Sequence, residues 1–228
     1  MIIIKNIKSD YLYLVWKEPQ RRSRYIVGVL KKGDKYEFKY VDNIKEYIKI
    51  GFDLLVSFPD INKKYINDNL FPEFLSRIPG PTRVDIKEIL EKYGLKEYDA
   101  FELLKRSGAK TSLDMLEFID PILNFRSKNI TRKFYVAGTR YNCRKENEDK
   151  INIGDKVVLI EEPTNEYDKY AIKMEINNIF VGYIPSYYSE MVYKYLNKSD
   201  NKYICNVIDK TGNCEECIKV KLVLNPNN

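Results

Sequence analysis

The chain has 228 residues, 44% of them hydrophobic and 32% charged, with a formal net charge of +6, which is the composition of a globular protein rather than a disordered one. Its longest apolar run, Tyr11 to Trp16, falls far short of the ~20 residues that span a bilayer, and the first residues lack the apolar core of a signal peptide, so a cytoplasmic protein without membrane contact is expected. Histidine is absent, and with it go Ser-His-Asp triads, Cys-His dyads and zinc sites that need imidazole.

Three strands open the chain: Tyr11–Trp16, Tyr25–Leu30 and Tyr36–Tyr40, with Lys32-Gly33-Asp34 as a hairpin turn. The pattern then becomes helical. Phe71–Ile78 precedes the Pro79-Gly80-Pro81 stop. Val84–Tyr93 carries apolar residues at 84, 86, 89, 90 and 93 and ends at Gly94. Asp99 caps a third helix through Arg106, which Gly108 terminates. The string Gly108-Ala109-Lys110-Thr111 has Ala where a phosphate-binding loop needs its second glycine. No enzyme and no cofactor are expected from these motifs.

From residue 134 onward strands return, at Phe134–Tyr141, Lys156–Ile160, Ala171–Ile176, Ile179–Ile184, Tyr203–Ile208 and Ile218–Leu224, interrupted by one helix over Tyr187–Leu196. Short strands at this spacing predict a small closed or partly open barrel. The expected fold class is therefore α+β: a domain over 1–122 with β-strands plus helices, a basic linker over 123–133, and a β-barrel with one helix over 134–228.

Between Arg126 and Lys145 lie seven basic residues and no acid: Arg126, Lys128, Arg132, Lys133, Arg140, Arg144 and Lys145. Such a run is a candidate phosphate-backbone footprint, or else a solvated linker and strand face. The four cysteines, Cys143, Cys205, Cys214 and Cys217, leave open a zinc site with four thiolate ligands, a redox pair, or small residues packed in strands. Asp155, Glu162 and Asp168 leave room for a Mg²⁺-dependent nuclease as a minor alternative.

The blocks Phe134-Tyr-Val-Ala-Gly-Thr-Arg-Tyr-Asn142, Ile153–Ile160, Glu162-Pro-Thr-Asn-Glu-Tyr-Asp-Lys-Tyr-Ala-Ile172 and Val181-Gly-Tyr-Ile-Pro185 resemble, in order and spacing, the HIRAN domain over 134–225. That resemblance implies an OB-like β-barrel that captures single-stranded DNA at its 3′ end. It also implies a nucleic-acid-binding set comprising Arg140, Tyr141, Asn142, Asn165, Tyr167, Asp168, Lys169 and Tyr183. The chemistry suits the task. A carboxylate at Asp168 accepts from a terminal hydroxyl and repels a terminal phosphate. Arg140 pairs with the neighbouring phosphate, Tyr141 and Tyr167 stack on bases, and Asn142 and Asn165 hydrogen-bond without adding charge. Taken singly, Asp168 reads equally well as a turn residue and Tyr183 as strand packing. Asn142 stands where many members carry an aromatic residue, Tyr170 where Asn is common, and Tyr183 where His is frequent.

The first half resembles the N-terminal subdomain of HipA-type toxin kinases over 10–120, through Val27–Leu30, Phe38–Tyr40, Leu54–Pro59, Leu70–Leu75 and Asp99–Leu104. These are packing residues rather than chemistry, and the kinase core is replaced by the barrel. The expected function is non-enzymatic binding of single-stranded DNA, with a possible protein partner (a HipA-type kinase or a DNA-processing enzyme) at the first domain. The alternative is an antitoxin-like interaction module of a toxin–antitoxin or defence system.

Overall fold

The computed structural model describes residues 10–20, 23–121, 130–142, 149–197, 202–210 and 217–224. The chain divides into two compact units, Met1–Pro121 and Ile122–Asn228.

In the first unit, β1 (Asp10–Lys17), β2 (Arg24–Lys32) and β3 (Tyr36–Tyr40) form an antiparallel meander, and the β2–β3 turn falls at Gly33 as the sequence implies. Two further strands complete a five-stranded sheet: β4 (Tyr65–Asn67) pairs with β3 and β5 (Leu116–Ile119) with β1, giving the order β4-β3-β2-β1-β5. Four helices accompany the sheet: α1 (Ile44–Lys49), α2 (Pro72–Leu75), α3 (Ile86–Lys92) and α4 (Ala100–Ser107).

Asp99 caps α4, its carboxylate accepting from the backbone N–H groups of Phe101 and Glu102, and the helix ends at Gly108. The helix expected over 71–78 is shorter than expected. Pro72 occupies its first turn, and regular helix ends at Leu75. An aromatic cluster forms the core, with Phe38 against Phe58 at 4.6 Å and Phe74 against Phe118 at 5.0 Å between ring centroids.

The second unit holds two three-stranded antiparallel sheets. One has the order β10-β11-β6, with β6 (Ile130–Tyr135), β10 (Tyr203–Lys210) and β11 (Ile218–Leu224). The other has the order β7-β8-β9, with β7 (Val157–Glu161), β8 (Ile172–Ile176) and β9 (Ile179–Tyr183). Their edges meet at two isolated bridges, Lys156↔Asn206 and Ala137↔Tyr183. Of the closed or partly open barrel expected, closure is not seen among the described residues: two sheets are joined by single bridges.

The alternation of the strands places Phe134, Val157, Leu159, Met174, Val181, Cys205, Val207, Val220 and Leu222 inside. Helix α6 (Ser186–Leu196) adds Tyr187, Tyr188, Met191, Val192 and Tyr195 to this core, with Tyr188 lying 5.5 Å from Phe134.

Two expectations change here. Residues 130–133, read as the end of a linker, are already strand, while 123–129 lie outside the described residues. The strand expected over 134–141 stops at Tyr135, and Arg140 and Tyr141 instead belong to a short helix, α5 (Thr139–Asn142). Gly138, at φ 74°, turns the chain between them, and the Thr139 hydroxyl donates to the Val136 carbonyl at 2.9 Å.

Candidate nucleic-acid interface

Two segments carry the residues singled out by the sequence, α5 and the 162–171 loop joining β7 to β8. The loop is pinned at its base, where the Glu162 N–H donates to the Ala171 carbonyl at 2.9 Å. Inside it, the Asn165 side-chain oxygen accepts from the N–H groups of Tyr167 and Asp168, both at 3.0 Å. Asn165 therefore organises the turn. Its amide nitrogen donates in turn to Glu162 Oε2 at 2.9 Å.

Asp168 is also built into the fold. Its Oδ1 accepts from the Tyr170 N–H at 2.9 Å, and its Oδ2 from the hydroxyl of Ser189 on α6 at 2.6 Å. Each oxygen keeps a second lone pair, and the carboxylate is only half-buried, so it retains acceptor capacity toward a ligand hydroxyl.

Tyr183 joins the two segments. Its backbone pairs with Ala137 through N–H···O bonds of 2.9 and 2.8 Å, which brings the start of α5 to β9. Its phenol donates to the Glu162 carboxylate, and burial together with that carboxylate pushes the phenol up from its ordinary value. The neutral form therefore persists as donor.

The close approach of α5's lead-in to β9 depends on Gly182. At φ 141° its position has no room for a side chain, since a Cβ there would lie 2.3 Å from the Ala137 carbonyl oxygen. Glu162 also bonds Lys173 across the sheet at 2.6 Å. The Lys173 ammonium, then the Asn165 amide and the Tyr183 phenol, hold the Glu162 carboxyl down at about 2.

Against this fixed polar frame, two rings stand out. Tyr141 is 76% and Tyr167 is 96% exposed, unlike Tyr183, whose ring meets Phe180 edge-on at 5.3 Å. Arg140 is exposed, its guanidinium 5.8 Å from the Tyr141 ring centroid. Lys169 is exposed over the Tyr170 ring at 4.9 Å. The Asn142 amide donates to the Gly138 carbonyl at 2.9 Å, closing α5. Aromatic faces and cations thus lie outermost, and carboxylate and amide groups hold them.

Sequence reasoning missed Ser189, Lys173 and Gly182 as supports of this site. The Val-Gly-Tyr-Ile-Pro block carried Gly182 without its reason, while Ser189 sits unmarked on the apolar face of α6.

Among the described residues the metal alternatives do not assemble. Asp155 accepts from the Asn152 N–H and from the Asn177 amide, both at 2.8 Å, whereas Glu162 and Asp168 are committed to Lys173 and Ser189. Among the described residues no three of Cys, Asp and Glu group to hold a cation. Cys143 and Cys214 lie outside the described residues. Cys205 pairs with Leu222, five positions along β11 from Cys217, so about 16 Å of strand separates the two thiols. That is far too much for one zinc ion. Both are buried, and burial pushes the Cys205 thiol up to about 12, which makes it a core residue. Of the basic run, Arg126, Lys128, Arg144 and Lys145 lie outside the described residues. No helix among the described residues is long and apolar enough to cross a membrane.

The family model of the HIRAN domain matches residues 131–225. Among solved structures, the crystal structure of the HIRAN domain of human HLTF is similar at 20% identity, over 44% of this chain and 81% of that one, with a TM-score of 0.36. No curated protein matches the chain.

Proposed function

We propose that the C-terminal unit binds single-stranded DNA without catalysing a reaction, and that it takes the free 3′-hydroxyl end between α5 and the 162–171 loop. The observation that carries this reading is the presentation of Tyr141 and Tyr167. A tyrosine held almost wholly in water by a hydrogen-bonded turn leaves its apolar face uncovered, and stacking on a base covers it. Arg140 supplies a planar cation for the adjacent phosphate, and Lys169 adds a second positive group. Asp168, fixed by Ser189 and Tyr170, offers its remaining lone pairs to the terminal hydroxyl. The HIRAN match over 131–225 supports this assignment.

The order of its packing blocks supports reading the N-terminal unit as an architecture like that of the HipA N-terminal subdomain. In this reading it is the docking platform for a protein partner in the cytoplasm.

The test is a titration of single strands ending in 3′-hydroxyl, single strands ending in 3′-phosphate, and circular single strands. Tightest binding of the 3′-hydroxyl strand is expected. Equal affinity for all three would overturn end recognition, and no binding at all would overturn the function.

A further inference from the structure

The outer face of the β10-β11-β6 sheet carries a line of cations separate from the tyrosines of α5 and the loop. Lys133 on β6 pairs with Lys221 on β11, Lys221 with Asn206 on β10, and Asn206 with Lys156 through the isolated bridge. Directly paired residues point to one face, so Lys133, Lys221, Asn206 and Lys156, which precedes β7, form a single row across three strands and the adjoining bridge, about 14 Å from end to end. All three lysines are exposed.

Several lysines elsewhere are ion-paired: Lys32 meets Asp99, Lys35 meets Asp68, Lys64 meets Glu37 and Lys173 meets Glu162. Among the described residues, Lys133, Lys156 and Lys221 have no carboxylate within ion-pairing distance. Like charges directly opposite on neighbouring strands are unfavourable. Retaining such a pair without a counter-ion suits a surface whose counter-ion is a ligand.

The row is continuous with the end site. Along β6, Lys133 and Tyr135 alternate onto the same face, with Lys219 lying 5.1 Å over the Tyr135 ring, and Ala137 lies two residues beyond. Ala137 is the residue that pairs with Tyr183.

We infer that the Lys133–Lys221–Lys156 row is a phosphate-tracking surface, which takes the sugar-phosphate backbone of the same DNA strand upstream of the end held by Tyr141 and Tyr167. The inference rests on the reading of this unit as a single-strand binder and adds a second contact surface to it. Each phosphate neutralised on a single strand contributes about 0.7 to the slope of log affinity on log salt, so three lysines contribute about 2.

The experiment measures affinity across a salt series, by fluorescence anisotropy, for 5′-labelled single strands of about 4 and about 16 nucleotides, which bracket the range of single-strand sites. Wild type is expected to bind the longer strand more tightly and with a slope steeper by about 2. The triple variant Lys133→Gln/Lys156→Gln/Lys221→Gln is expected to bind the short strand as wild type does and to lose the length advantage, on the order of tenfold. The matching Arg triple variant is expected to keep it. A Gln variant that retains the steeper slope and the length advantage would overturn the assignment, as would equal wild-type affinity for the two lengths. Failure of the short strand alone to bind would overturn the end site, while a Lys-dependent gain on the long strand would still support the row.

Discussion

Ser189, buried on α6, donates its hydroxyl to Asp168 Oδ2 at 2.6 Å. That one bond ties the 162–171 loop to the core helix. The loop cannot tilt without breaking it, so the direction of the Asp168 carboxylate is set by α6 rather than by the loop alone. A charged acceptor of this kind is worth more than a neutral one.

Ser189→Ala is therefore expected to destabilise the C-terminal unit by about 1–3 kcal/mol, since Asp168 loses a partner it was folded around. The carboxylate would also be free to rotate, so discrimination between 3′-hydroxyl and 3′-phosphate strands should narrow. Urea unfolding and paired titrations check the two effects separately. Unchanged stability would show that water replaces the hydroxyl at no cost.

Where alternation was long and uninterrupted, the strands were legible: β1, β2, β3, β7, β8, β9, β10 and β11 lie close to their expected positions. What failed was local punctuation and distant pairing. Phe134 to Tyr141 has strand-like composition, yet Gly138 and the Thr139 hydroxyl redirect it into α5, and that turn is what exposes Tyr141. The Leu116–Ile119 strand is four residues long and finds β1 about a hundred positions away, a pairing that no local window contains. The six residues of α1 are too few to show a helical period. For the site, residue types were legible but their division of labour was not. Asn165 and Asn142 read as ligand contacts; in the fold Asn165 bonds two backbone N–H groups and the Glu162 carboxylate, and Asn142 bonds the Gly138 carbonyl, so only the three-dimensional hydrogen bonding separates holders from presenters.

Tyr167→Ala should leave stability within about 0.5 kcal/mol of wild type, because its ring is exposed and buries little. It should weaken single-strand binding by about 1–3 kcal/mol through lost stacking, and Tyr141→Ala should do the same. Thermal unfolding and anisotropy titrations on the same preparations test this. Unfolding without a separable binding defect would make either residue structural.

Glu162 sets an acid dependence. Its carboxyl is held at about 2 in the fold against an ordinary 4.5, so the charged form is favoured in the folded state. The stability it contributes is complete above about pH 4.5 and disappears as the pH falls toward about 2. Glu162→Gln should lower the melting temperature at neutral pH, because the Lys173 ion pair is lost, and the gap from wild type should close across that window. A gap that stays constant down to the acid end would mean that the carboxylate charge contributes nothing and only its shape matters.

Asp168 gives the most discriminating substitution. A terminal phosphate brought to ~4 Å from its carboxylate, at an effective dielectric of about 20, meets repulsion of up to ~4 kcal/mol per unit charge, which Arg140 and salt reduce. A preference for 3′-hydroxyl of ten- to a hundredfold, ~1.4–2.8 kcal/mol, is expected of the wild type. Asp168→Asn can keep the turn, because its side-chain oxygen still accepts from the Tyr170 N–H. Its amide nitrogen then faces Ser189, whose hydroxyl lies 3.0 Å from the Ser186 carbonyl and can donate there while accepting from the new amide. The fold survives and the charge is gone, so the variant should bind 3′-phosphorylated strands better than wild type does while losing part of its affinity for the 3′-hydroxyl. Asp168→Ala should lose preference and stability together, since both the Tyr170 N–H and the Ser189 hydroxyl are abandoned. An Asn variant with unchanged selectivity would return Asp168 to a purely structural role in the turn, with end recognition, if the wild type shows it, carried by Arg140 instead.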